Sequence, residues 1–134
     1  MIHLVYRNDL RSIQELYDSK AMSKRQIQFC YSLVLSNNKL TDVTGLPDKM
    51  IGDLILSNNI ISNLNGLPKM VFHLDLEDNP VSSLYGISKK IKGSLSLFHC
   101  PLNDVSDLFN TDMAIRGDIY KFLLVTIMNY RYYH

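Results

Sequence analysis

Residues 33–40 read Leu33-Val34-Leu35-Ser36-Asn37-Asn38-Lys39-Leu40, and the pattern returns in three later stretches of the chain. Leu33, Leu54, Leu74 and Leu95 open the copies, separated by 21, 20 and 21 residues. Leu35, Leu56, Leu76 and Leu97 follow two positions later, and Asn38, Asn59, Asn79 and Cys100 three positions after those. Leu40, Ile61, Val81 and Leu102 come next, then Val43, Leu64, Leu84 and Val105. Gly45, Gly66 and Gly86 form a glycine column that Asp107 breaks in the last copy, and Leu46, Leu67, Ile87 and Leu108 complete the set. Self-similarity at a fixed short period is the mark of a stacked solenoid, because one copy cannot bury its own apolar side without a neighbour.

Each column has a physical explanation. Leu-x-Leu is alternation over a very short strand, so both leucines face one side and the intervening residue the other. Stacked at roughly 4.8 Å, such strands form a parallel sheet whose leucines make a continuous core with the returning chain. An asparagine where the chain leaves the strand carries two donors and an acceptor, enough to satisfy buried backbone groups along a ladder. Cys100 keeps the small size but gives up the strong acceptor, so the ladder is expected to weaken there. The glycines of Thr44-Gly45-Leu46-Pro47 and Asn65-Gly66-Leu67-Pro68 suit a tight bend before a non-helical return. With 20–21 residues per copy there is little room for a return helix, and extended chain or short 3₁₀ turns are expected.

These columns resemble the leucine-rich repeat, whose pattern is L-x-x-L-x-L-x-x-N/C-x-L. The resemblance spans residues 30–109 and implies an α/β repeat fold: a leucine-rich-repeat solenoid with a short parallel sheet, four repeats and a cap at each end. Gly66-Leu67-Pro68-Lys69-Met70-Val71 and Ile91-Lys92-Gly93-Ser94-Leu95-Ser96-Leu97 are similar to the short repeats of bacteriophage-encoded proteins and of leucine-rich-repeat effectors of pathogenic bacteria. Ligase-type effectors of that kind add a large catalytic domain after the repeats, for which this chain has no room, so the likeness implies a recognition part alone.

The ends of a solenoid must be closed. Residues 1–29 are expected to form an N-terminal helical cap, with Asn8 or Asp9 placed to cap a helix bearing Leu10, Ile13, Leu16 and Tyr17. Residues 110–134 are expected to hold a degenerate last repeat, Ile115-Arg116-Gly117-Asp118-Ile119, and a C-terminal cap. Ile119, Phe122, Leu123, Ile127 and Tyr130 fit a helical face, though their β-branched and aromatic character also permits a strand. The tail Tyr130-Arg131-Tyr132-Tyr133-His134 is either a contact segment or a flap over the last repeat.

Composition sets the outer bounds. At 134 residues the chain has the length of one domain. Its 14 Lys+Arg against 13 Asp+Glu leave a net charge of +1, so no global field draws it to nucleic acid or an anionic membrane. No apolar run approaches the ~20 residues of a membrane span, and the start lacks the basic and apolar parts of a secretory signal, so a cytoplasmic protein is expected. There Cys30 and Cys100 are expected to be free thiols.

Solenoids usually bind through the concave sheet face. The first two copies present there Ser32, Val34, Ser36, Asn37, Asp53, Ile55, Ser57 and Asn58, which are small and partly apolar. The last two present His73, Asp75, Glu77, Asp78, Ser94, Ser96, Phe98 and His99, which are acidic with one aromatic. Val34, Ile55, His73, Asp75, Glu77, Asp78, Phe98 and His99 are therefore the candidate protein-binding residues, with apolar anchors supplying energy and charges selecting the partner. The competing explanation is that Val34 and Ile55 reflect strand propensity and the acids keep an exposed sheet soluble. Lys49, Lys69 and Lys90, in register on another side, form an alternative nucleic-acid-binding ridge, without interleaved aromatics to stack on bases.

Catalysis finds little support. The four histidines lack metal-ligand spacing, His73 and Asp75 form at most a two-residue acid–base pair, and no phosphate loop or nucleophile elbow is present. The expectation is a non-catalytic module, with no cofactor and no metal, that sterically occludes a larger target protein. The phage and effector resemblance extends this to an inhibitor of a host defence protein, anti-CRISPR-like or otherwise. Homodimerisation through an exposed edge or end stays open.

Overall fold

The computed structural model describes residues 2–113. In chain order its elements are β1 (His3–Val5), α1 (Ile13–Asp18), α2 (Lys24–Phe29), β2 (Ser32–Val34), β3 (Asp53–Ile55), β4 (Met70–Val71), β5 (Leu74–Asp75), β6 (Lys90–Ile91), β7 (Leu95–Ser96), a 3₁₀ turn (Ser106–Asn110) and β8 (Asp112–Met113). Two parallel sheets result, one in the order β1-β2-β3-β5-β7 and the other β4-β6-β8. The architecture is a parallel-strand solenoid of about three turns with few helices. The degenerate strand at Ile115–Ile119, the helical face Ile119–Tyr130 and the aromatic tail lie outside the described residues.

The strand register follows the leucine columns. Leu33 pairs with Leu54, Leu54 with Leu74 and Leu74 with Leu95, and all of them are buried together with Leu35, Leu56, Leu76 and Leu97. Leu40, Ile61, Val81 and Leu102 join the same core, as do Val43, Leu64 and Leu84. Each leucine is thereby removed from water by the copies on either side, which is why the stack and not the single turn is stable.

Asparagines connect the turns. Asn59 Nδ2 donates to Leu35 O and Leu56 O at 3.0 Å each, while its Oδ1 accepts the Leu40 N–H at 3.1 Å. Asn79 repeats this with Leu56 O, Leu76 O and the Ile61 N–H. Asn38 does the same at the front, holding Tyr6 O, Leu35 O and the Leu10 N–H. At Cys100 the donor survives, with Sγ donating to Leu76 O at 3.1 Å. No bond from the Val81 N–H to Cys100 occurs among the described residues, so the ladder loses its acceptor arm where asparagine gives way to sulfur.

The residue before each ladder position is left-handed: Asn37 (φ 59°), Asn58 (55°), Asp78 (55°) and His99 (63°). These are the residue types that tolerate that conformation best after glycine. The bends after the strands use φ 109° at Gly45, 89° at Gly66 and 91° at Gly86. At Gly66 a Cβ would also run into the backbone of Thr44 on the preceding turn.

The front of the chain differs from expectation in two respects. It contributes a strand, β1, paired His3 to Ser32 and Val5 to Val34. Its first helix is capped by Ser12, not by Asn8 or Asp9: Ser12 Oγ accepts the Glu15 N–H at 3.2 Å. Asn8 and Asp9 lie too far ahead of a helix that begins at Ile13: the Asn8 and Leu10 N–H groups donate to Asn38 Oδ1, and Asp9 between them turns the chain at φ 54°. The second helix begins with a complete capping box between Ser23 and Gln26.

Candidate protein-binding face

Because strand side chains alternate, one face of the five-stranded sheet enters the core and the other stays open. The central row across the open face is Val5, Val34, Ile55, Asp75 and Ser96, in continuous register. Val5 is exposed; the next four are half-buried. The row is apolar at its β1 end and polar at its β7 end.

The flanking positions reinforce that gradient. In the row before it, His3 pairs with Ser32 and Ser32 with Asp53. His73 continues the row, donating its backbone N–H to Asp53 Oδ1 at 3.2 Å. In the row after it, the hydroxyls of Ser36 and Ser57 lie 2.8 Å apart, and Ser96 Oγ donates to Glu77 Oε1 at 2.6 Å. Phe98 ends this side, 36% exposed, with its ring centroid 4.1 Å from that of His99.

From β2 to β7 these rows hold Asp53, Asp75 and Glu77 and no Lys or Arg, and Asp78 follows Glu77 at the turn, so the polar end carries a local negative field. Burial pushes the Asp75 carboxyl above its ordinary range; the Glu77 N–H bond at 2.9 Å opposes this, and the charges of Glu77 and Asp78 add to it. A carboxylate held under such repulsion gains from an approaching cation.

His73 and His99 are already engaged. The Ser94 N–H donates to His73 Nδ1 at 2.7 Å, and Ser94 Oγ lies 2.9 Å from the same nitrogen. A backbone N–H can only donate, so Nδ1 is the acceptor and the neutral ring carries its proton on Nε2. Gly93 makes room for this, since a Cβ there would collide with the His73 ring. His99 Nδ1 stands 2.8 Å from Asp78 Oδ1 in an exposed pair. His73 thus bonds to Ser94, and Asp75 to Glu77; the two are not joined as an acid–base pair.

Val34, Ile55 and Asp75 therefore share one row, with His73, Glu77, Asp78, Phe98 and His99 around its acidic end. Val5 is an addition that sequence reasoning missed. The only signal for it was the three-residue apolar run Leu4-Val5-Tyr6, too short to identify a strand.

The lysine ridge needs correction. Lys49 pairs with Met70, Met70 with Lys90 and Lys90 with Asp112. Lys69 lies one position earlier: its N–H donates to Asp48 O, and its carbonyl accepts the Lys90 N–H. The strands repeat at 21 then 20 residues, whereas these lysines are spaced 20 then 21, so Lys69 falls out of step. A methionine interrupts the column and an aspartate ends it, leaving no continuous cationic row.

Among the described residues no group of three or more His, Cys, Asp or Glu side chains is arranged to hold a metal ion. No helix among them is long and apolar enough to cross a membrane. Compared with known protein families, curated proteins and solved structures, the chain matches none.

Proposed function

We propose that this chain is a non-catalytic protein-binding module of the leucine-rich-repeat type, with four repeats over residues 30–109 between terminal caps. It acts by covering part of a larger target protein with the open face of its sheet. The observation that carries this is the row Val34, Ile55, Asp75, in which apolar side chains run in register into a carboxylate cluster with Phe98 at its margin. Such a face has the makings of a specific interface: apolar anchors for affinity and charges for selection. Its chemistry suits a target segment with one or two apolar side chains followed by Lys or Arg. Two readings of the repeats support the fold assignment: the Asn38, Asn59 and Asn79 ladder, and the cysteine that stands fourth in that column. The likeness to phage and effector repeats directs the search for the target to host proteins, with inhibition by occlusion as the mode of action.

The test is affinity capture with the wild type beside a Phe98→Ala/Asp75→Asn/Glu77→Gln variant. Amide replacements keep the acceptor oxygens that hold the Glu77 N–H and Ser96 Oγ while removing the charge. A target retained by the wild type and released by the variant, with the variant's unfolding transition intact, supports the proposal. A target retained equally by both refutes the assignment of this face.

A further inference from the structure

Asn65 is followed by Gly66, the one Asn-Gly pair in the sequence. The corresponding residue is Thr44 before Gly45 and Tyr85 before Gly86, so a side-chain amide at this place is particular to the second copy. Residues 64–67 form a turn closed by the Leu67 N–H on Leu64 O at 3.3 Å, with Gly66 at φ 89° in the third position, where a type II turn needs glycine. Asn65 and Gly66 are both exposed.

The two groups that an intramolecular cyclisation would join are both free at this turn. The Asn65 backbone is engaged, its N–H by Asn63 Oδ1 at 3.1 Å and its carbonyl by the Val43 N–H at 3.3 Å, but its side-chain amide has no hydrogen-bond partner among the described residues. The Gly66 N–H donates to no acceptor among them either. The ladder residues Asn59 and Asn79 are the contrast: their amides are buried and bonded through both the oxygen and the nitrogen. Glycine also has no Cβ to hinder the approach of its nitrogen to the preceding side chain.

We infer that Asn65 is a self-modification site, at which the Gly66 backbone nitrogen attacks Asn65 Cγ. The N–Cγ bond forms, the Cγ–Nδ2 bond breaks, and Nδ2 leaves as ammonia with the proton from the Gly66 nitrogen. Water then opens the five-membered imide at either carbonyl, giving aspartate or, where the chain is rerouted through Cγ, isoaspartate. Isoaspartate inserts a methylene into the backbone of a turn without slack: Leu64 is buried, and Gly66 lies so close to the preceding turn that a Cβ would run into the backbone of Thr44. The product therefore loosens the contact between the first two copies. This chemistry does not depend on the function proposed for the open sheet face.

The test is to incubate the full chain at neutral pH and physiological temperature and to map its asparagines by mass spectrometry at intervals. Asn65 should exchange amide for carboxyl at least about tenfold faster than Asn37 and Asn58, which are also exposed but precede asparagine. Part of the product should resist an endoproteinase that cuts before aspartate, the mark of isoaspartate. Asn65→Thr, which installs the residue of the first copy, should abolish the fast conversion and keep the unfolding midpoint. The isoaspartyl fraction, separated by charge and by its resistance to that cleavage, should unfold at a lower midpoint than freshly prepared Asn65→Asp, which carries the charge without the added methylene. The inference is overturned if Asn65 converts no faster than Asn37 and Asn58, if the product contains no isoaspartate, or if the isoaspartyl fraction unfolds together with Asn65→Asp.

Discussion

Asn59 Oδ1 accepts the backbone N–H of Leu40 at 3.1 Å, joining a side chain of one solenoid turn to the main chain of the turn before. Its Nδ2 meanwhile donates to the carbonyls of Leu35 and Leu56, so one residue satisfies buried backbone groups on two turns. Replacement by alanine leaves those groups buried without partners. Asn59→Ala should therefore lower stability by about 3 kcal/mol or more, a large share of what a domain of this size has. Chemical denaturation checks this, and a loss below about 1 kcal/mol would mean that water takes over the ladder's role.

Cys100 offers the converse experiment. Burial pushes its thiol up to about 11, so the native protein holds the proton that donates to Leu76 O. A raised native value contributes stability that is complete below the ordinary thiol value of 9.0 and is lost as pH climbs from there through about 11. Cys100→Asn should restore an acceptor for the Val81 N–H, raise stability by about 1 kcal/mol and remove that alkaline decline. Parallel denaturation series at neutral and alkaline pH test both points.

Asp75 has the same consequence in a lower range of pH. Its native value is raised, mainly by burial, so the folded state binds the proton more tightly than the unfolded chain does. Stability therefore falls as pH rises from the ordinary carboxylate range through the raised native value. Asp75→Asn removes this loss: it should match the wild type in acid and be at least as stable at neutral pH. Affinity for a cationic target should show the reverse trend, weakening in the wild type as acid neutralises Asp75, with less change in the variant.

Close approach of two turns is testable at Gly52. A Cβ there would strike the backbone carbonyls of Cys30 and Tyr31, which cannot retreat without breaking the Asp53 N–H bond to Tyr31 O at 3.0 Å. Gly52→Ala should cost several kcal/mol, on the order of the largest single-site losses, with an earlier unfolding transition by circular dichroism.

Much of the solenoid was legible because its determinants are local and periodic. Leu33 and Leu35 state their facing by spacing alone, and the same alternation places Val34, Ile55 and Asp75 on the open face. What escaped depends on chain segments far apart in sequence. The acceptor role of His73 requires Ser94, 21 residues later, and the missing Cβ of Gly93. β1 is too short to register a period and exists because β2 offers it an edge. The lysines looked aligned because 20 and 21 residues were treated as one repeat, although one residue of slip moves a side chain to the neighbouring position.

The central claim is that the open sheet face contacts a target protein, and site-specific photo-crosslinking tests it most directly. A photoreactive phenylalanine analogue is placed at Phe98 or Ile55 on that face, or at Lys69 or Lys90 away from it, and each protein is irradiated in an extract containing the target. The account predicts one and the same adduct from positions 98 and 55, absent from 69 and 90. An adduct formed from 69 and 90 and missing at 98 and 55 would contradict it.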